Sequence, residues 1–321
     1  MLENFIFSAN AVFPIFLIIA MGYFLRRKQF LSTDTISEMN RLVFTFALPM
    51  LLFRNVYQAD FTELLDFAFI SWILTSILIS FGLLWVGAEI FLRQRKELIG
   101  AFVQAGLRSN YAIVGIPLVA NVMEGNDTGK AALAAAFIVT SYNVLSVIVL
   151  TAKDSSQTDK KFDGAMFKNI VLGICKNPSI IGIAFGVAFS VSNFQLPFII
   201  NAGVNNLALL CTPLALIAVG ASIQFSEIKS YLKPVLAAAS IKIVITPLVF
   251  IPISVLLGFR GEALATLFVM FANPTAILCY VMAARMNANT TITSAIILVT
   301  TVFSSITLTV GVYILRTLLL I

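Results

Sequence analysis

The sequence of 321 residues contains no histidine, which excludes histidine-based triads and histidine-ligated zinc sites. Charge is scarce too: 11% of residues are Asp, Glu, Lys or Arg, against about 25% in an ordinary soluble domain. Only three cysteines occur, Cys175, Cys211 and Cys279, each isolated from the others. An odd count without metal-ligand spacing gives no disulfide framework and no metal site. No polar stretch exceeds about two dozen residues, too short for an appended soluble domain. Basic stripes are missing as well. The net charge is +6, but Lys and Arg sit in short connections, so nucleic acid is not an expected partner, and no cofactor motif is present.

What is plentiful is apolar surface, with 60% of residues hydrophobic. It comes in runs of about twenty, the length that spans the hydrocarbon core of a bilayer. The runs lie near 5–25, 36–54, 67–92, 98–122, 129–151, 177–192, 199–223, 233–257, 262–284 and 290–320. Lipid offers the backbone no hydrogen-bond partner, so each run is expected to be helical and the bilayer to be the first partner. The run from Phe5 to Leu25 is longer than a signal-peptide core, and Arg26-Arg27-Lys28 follows it, so it reads as a retained helix.

Connections on one side of these runs carry fifteen Lys and Arg, those on the other side four: Arg54, Lys130, Arg260 and Arg316. The positive-inside rule assigns the first side to the cytoplasm and both termini to the exterior, as ten spans in a bacterial-type inner membrane require. Residues 153–176 form the one long cytoplasmic linker, between five runs in 1–152 and five in 177–321. An odd number per half forces opposite insertion. The expected fold is therefore all-α and integral to the membrane, with ten helices as two inverted five-helix repeats. Local sequence agrees with a repeat. Leu48-Pro49-Met50 matches Thr212-Pro213-Leu214 at an offset of 164, and Asn110 matches Asn273 at 163.

The fourth run contains Arg108, Ser109, Asn110, Gly115 and Pro117; the ninth contains Asn273, Pro274 and Thr275. Proline removes an amide donor and disfavours helical geometry at the residue before it. Both runs are accordingly expected to break, with Gly115, Pro117 and Pro274 at the breaks. Interrupted helices at matching positions point to a transporter binding site, whose freed N-termini favour anions. Simple proline kinks with asparagine as interhelical glue are the structural alternative. Arg108 lies about 15 Å into its run and Lys242 at similar depth, each costing about 2.5–3.5 kcal/mol to insert. No Asp or Glu matches their depth, since Glu89 is near the end of its run. A positive, carboxylate-free interior suggests an anionic substrate, although both side chains could instead snorkel or meet backbone carbonyls. Tyr142 and Asn143 in the fifth run either line the same cavity or pack helices.

The stretch from Asn40-Arg41-Leu42 through Leu48-Pro49-Met50, then Ser109-Asn110-Tyr111 to Gly115-Ile116-Pro117, Thr212-Pro213-Leu214 to Gly220-Ala221-Ser222, and Asn273-Pro274 resembles the auxin efflux carrier family. That family includes plant auxin exporters and bacterial permeases assigned to malate or malonate. The resemblance implies a scaffold of helices 1, 2, 6 and 7 and a mobile transport domain of helices 3–5 and 8–10. Helices 4 and 9 would cross as broken helices at the substrate, and homodimers through the scaffold would be usual. Its crossover asparagines map onto Asn110 and Asn273, its crossover prolines onto Pro117 and Pro274, and a fifth-helix tyrosine onto Tyr142. The expectation is a secondary transporter of small organic anions, carboxylates such as auxin-like acids or dicarboxylates, working as an elevator. Arg108, Ser109, Asn110, Tyr142, Asn143, Asn273 and Thr275 would form its substrate site. A cation–proton antiporter of similar plan would need a carboxylate at the crossing, an intramembrane enzyme would need a base, and a non-transporting sensor would bind without flux.

Overall fold

The computed structural model describes residues 2–58, 66–124, 128–153, 178–192, 194–221 and 231–321. The predicted linker lies outside them apart from Lys153, as does Cys175. The helices are α1 (Leu2–Arg27), α2 (Thr33–Gln58), α3 (Phe67–Phe91), α4 (Ile99–Leu107), α5 (Tyr111–Val122), α6 (Gly129–Ala152), α7 (Pro178–Val191), α8 (Phe198–Ala221), α9 (Leu232–Leu256), α10 (Gly261–Ala272), α11 (Leu278–Arg285) and α12 (Thr290–Thr317). Seven of them, α1, α2, α3, α6, α8, α9 and α12, are long and apolar enough to cross a membrane. Among the described residues the one β pairing is an isolated antiparallel bridge between Ser109 and Thr275. The chain is an all-helical, multi-pass membrane protein.

Local sequence explains where several helices start. The Asp66 carboxylate accepts from the Phe69 amide at 2.9 Å, and Asn289 Oδ1 from the Ile292 amide at 3.0 Å, so both first turns have a side-chain acceptor. Three π turns share a second local cause. They cover Val43–Ala47 in α2, Tyr111–Gly115 at the start of α5 and Ile241–Ile245 in α9. Each is closed by a bond to the carbonyl five residues back, and the next residue is Pro49, Pro117 or Pro247. A proline has no amide for the carbonyl four residues back and its ring collides with that turn. A wider turn makes room for the ring.

This corrects one expectation from sequence. Gly115 and Pro117 do not mark the interruption of the fourth run, because the π turn absorbs the proline. The chain leaves the helix earlier, at Arg108, whose backbone is extended at φ −74° and ψ 118°. Pro274 does stand in the second interruption, after Asn273 at φ −68° and ψ 150°.

Packing gathers α1, α2, α7 and α8 into one group, with α1 on α8 and α2 on both α7 and α8. A second group comprises α3, α4, α5, α6, α9, α10, α11 and α12, and α1 meets it at α5 and α12 while α2 meets it at α6. Gly22 and Gly220 let α1 and α8 approach until any Cβ would strike the facing backbone at Ile217 or Ile19. Without a hydrophobic drive inside lipid, such bare contacts hold helices together by close packing. Large apolar side chains such as Leu17, Phe24, Leu83 and Leu248 point outward, as a lipid-facing surface requires.

Candidate functional site

Four helix ends meet where α4 gives way to α5 and α10 to α11. The two connecting strands pair: the Asn110 amide donates to the Pro274 carbonyl at 2.8 Å, and the Ala276 amide to the Arg108 carbonyl at 3.2 Å. These bonds satisfy backbone that could not be left bare inside a membrane. Thr275 pins the crossing twice more. Its Oγ1 donates to the Ala105 carbonyl at 2.7 Å, and its amide to Thr300 Oγ1 at 3.1 Å. The Lys242 ammonium, only 1% exposed, donates to the Leu107 and Met270 carbonyls at 3.2 and 3.3 Å. It thus sits on the C-terminal carbonyls of α4 and α10 together.

A cavity of about 480 Å³ lies between this crossing and the group formed by α2, α7 and α8. Its polar wall is Arg108, Ser109 and Asn110 from the first break, Tyr142 and Asn143 from α6, and Asn40 and Arg41 from α2. The opening residues of α5 and α11 also line it, through Ala112 and Ile113 on one side and Ile277 and Leu278 on the other. The leading amides of a helix have no intrahelical partner, so two helix starts turn their positive ends toward this space. Arg108 is 3% exposed, and its one partner among the described residues is the Met282 thioether at 3.1 Å. No Asp or Glu is among the described residues of the wall, and none pairs with Arg108. The described wall thus counts two arginines, Arg41 and Arg108, and no carboxylate, so its formal charge is positive.

Of the site residues expected from sequence, the cavity brings together Arg108, Ser109, Asn110, Tyr142 and Asn143. Asn273 and Thr275 stand behind the wall instead, at 0% and 1% exposure. The Thr275 hydroxyl and amide are engaged by the backbone and Thr300, and the Asn273 amide lies against Gly115. A Cβ on Gly115 would come within 2.8 Å of the Tyr111 ring and 3.2 Å of Asn273 Nδ2, so the glycine permits this close approach. Among the described residues neither Asn273 side-chain polar atom has a hydrogen-bond partner, and Ser109 Oγ has none either.

Asn40 and Arg41 are not among the site residues expected from sequence, where they carry the family resemblance and Arg41 also marks the cytoplasmic side. A signal was present: Arg41, Thr45, Leu48 and Leu52 recur at helical spacing and all line the cavity. For Lys242 the structure selects the carbonyl-pairing alternative over snorkelling.

The model of one family, described as "Membrane transport protein", matches residues 7–312. An "Uncharacterized transporter" of Methanothermobacter thermautotrophicus is 22% identical over 95% of this chain and 97% of its own length. A "Putative malonate transporter" of Rhizobium meliloti is 26% identical over 95% of each chain. Another "Uncharacterized transporter", of Methanocaldococcus jannaschii, is 20% identical over 92% of this chain and 94% of its own.

Proposed function

From its place in the membrane transport protein family, to which this chain belongs, we propose that it is a secondary carrier of small organic anions, with dicarboxylates such as malonate as the leading class. One observation carries the substrate class: a guanidinium, Arg108, buried beside the helix breaks on a cavity whose described wall holds no carboxylate. Leaving such a charge without an anion inside a membrane costs several kcal/mol on the scale of buried ions, and a bound carboxylate would offset it. Arg41 on the facing helix supplies a second cation, which favours a substrate with two acidic ends. The malonate assignment in the name of the Rhizobium relative supports the same choice. The family is one of membrane transporters and not of enzymes.

In this proposal α4–α5 and α10–α11 each count as one interrupted span, giving ten spans in two inverted sets of five. The group α1, α2, α7 and α8 is the scaffold, and the remaining helices are the transport domain that moves past it as an elevator. By the positive-inside rule the cavity mouth near Arg41 and Pro178 faces the cytoplasm of a cell with this inner membrane, and both termini lie outside. On the outer side α1 closes against the other group, where Arg316 stacks 3.3 Å from the Phe7 ring and Asn121 donates to the Ala11 carbonyl at 3.0 Å. Two copies joined through the scaffold complete the assembly.

The test is malonate uptake into proteoliposomes, with a monocarboxylate for comparison, for the native chain and for Arg108→Ala. Losing a buried charge-assisted contact should lower flux at least about tenfold. Unchanged transport would remove Arg108 from the site, and substrate-dependent thermal stabilisation without flux would make the protein a sensor.

A further inference from the structure

Helices α4 and α10 both end at the crossing, and each presents carbonyls that no downstream amide can reach. A helix C-terminus carries about half a negative charge, so two of them converging away from water attract a cation. In carriers built on interrupted helices, such ends and the unwound carbonyls beside them are where a coupling sodium ion or proton is held. Here the position has an occupant that belongs to the chain.

The Lys242 ammonium reaches one carbonyl from each helix, Leu107 at 3.2 Å and Met270 at 3.3 Å. The side chain is 1% exposed and projects from the π turn of α9, and no carboxylate pairs with it among the described residues. An ammonium has three donors and no acceptor, so it meets these carbonyls much as a bound metal cation would. We propose that Lys242 is the built-in cation of the crossing, and that the carrier therefore works without a metal cation at the paired α4 and α10 carbonyls.

The consequence for the neighbouring cavity is electrostatic. With both negative helix ends matched by Lys242, the starts of α5 and α11 and the Arg108 guanidinium face the substrate uncancelled. Lys242 then acts as a positioning residue, through the crossing and without touching the anion. This inference rests on the carrier reading above for its place in a transport cycle, but the cation position itself does not.

The experiment uses the full-length protein in two formats. In detergent, thermal unfolding is followed in sodium, potassium or choline chloride at constant ionic strength, for the native chain and for Lys242→Ser, which vacates the carbonyls. The native chain should melt at the same temperature in all three salts. Lys242→Ser should melt lower, and sodium should raise its midpoint relative to choline, a cation selectivity that a purely structural lysine would not produce. In proteoliposomes, native malonate flux should persist when choline replaces sodium and potassium. A native melting temperature or flux that rises with sodium overturns the proposal, and so does a Lys242→Ser variant that unfolds identically in sodium and choline. If the variant fails to fold, the native chain in the three salts still decides. Absence of flux for every carboxylate in every salt would instead strike the carrier reading and leave the melting comparison to judge Lys242.

Discussion

The two helix breaks occupy matching places in the sequence, yet they are used differently. The first, at Arg108, Ser109 and Asn110, shows its side chains to the cavity. The second, at Asn273, Pro274 and Thr275, is enclosed: its threonine is tied to Ala105 and Thr300, and its asparagine lies against Gly115. Only the second carries a proline within the extended segment itself. One break presents chemistry and the other braces it. A pair of related interruptions thus need not form a symmetrical site.

Substitutions can break or sharpen that contrast. The largest effect is expected at Gly115, which couples the two sides. Gly115→Ala puts a methyl 2.8 Å from the Tyr111 ring and 3.2 Å from the Asn273 amide. Overpacking of this kind costs about 1–3 kcal/mol, to be read as a lower thermal midpoint in detergent. Next comes Thr275→Val, which keeps the shape and removes the hydroxyl donor that meets the Ala105 carbonyl at 2.7 Å. About 1–2 kcal/mol of stability should disappear, with little change in the malonate concentration for half-maximal flux. The smallest stability effect belongs to Ser109→Ala. Its Oγ has no partner among the described residues, so stability should change by no more than about 0.5 kcal/mol in either direction. Half-maximal flux should instead require more malonate. If Ser109→Ala destabilised as much as Thr275→Val, the division between a presenting and a bracing break would fail.

Much of the helical layout was legible because composition and run length are physical requirements of the bilayer. Among the described residues eight of the apolar runs each overlap one helix and the fourth and ninth each overlap two, and the charged residues Arg108 and Lys242 mark the crossing. The exact seat of the first break was not legible. Pro117 is a local signal for interruption, whereas the extended geometry at Arg108 comes with pairing to residues more than 160 positions away, Pro274 and Ala276. That Asn273 and Thr275 stand behind the cavity wall was not legible for a related reason. Their residue types fit a binding wall as well as a buried brace, and only the neighbours Gly115 and Thr300 distinguish the two. Arg41 was hidden by its own charge, since a basic residue near a helix end already has an explanation in membrane orientation.

The π turns in α2, α5 and α9 each store one surplus residue. Were such a turn to tighten to ordinary α pitch, everything beyond it would revolve by about 100° and the surplus would pass along the rod, with no hydrogen-bond ladder torn apart. Lys242 rides inside one of these reservoirs and Thr45, on the cavity wall, inside another. Each of the two helix groups therefore holds a rod with such a reservoir, α2 in one and α9 in the other, and in both the following proline, Pro49 or Pro247, resists the tightening.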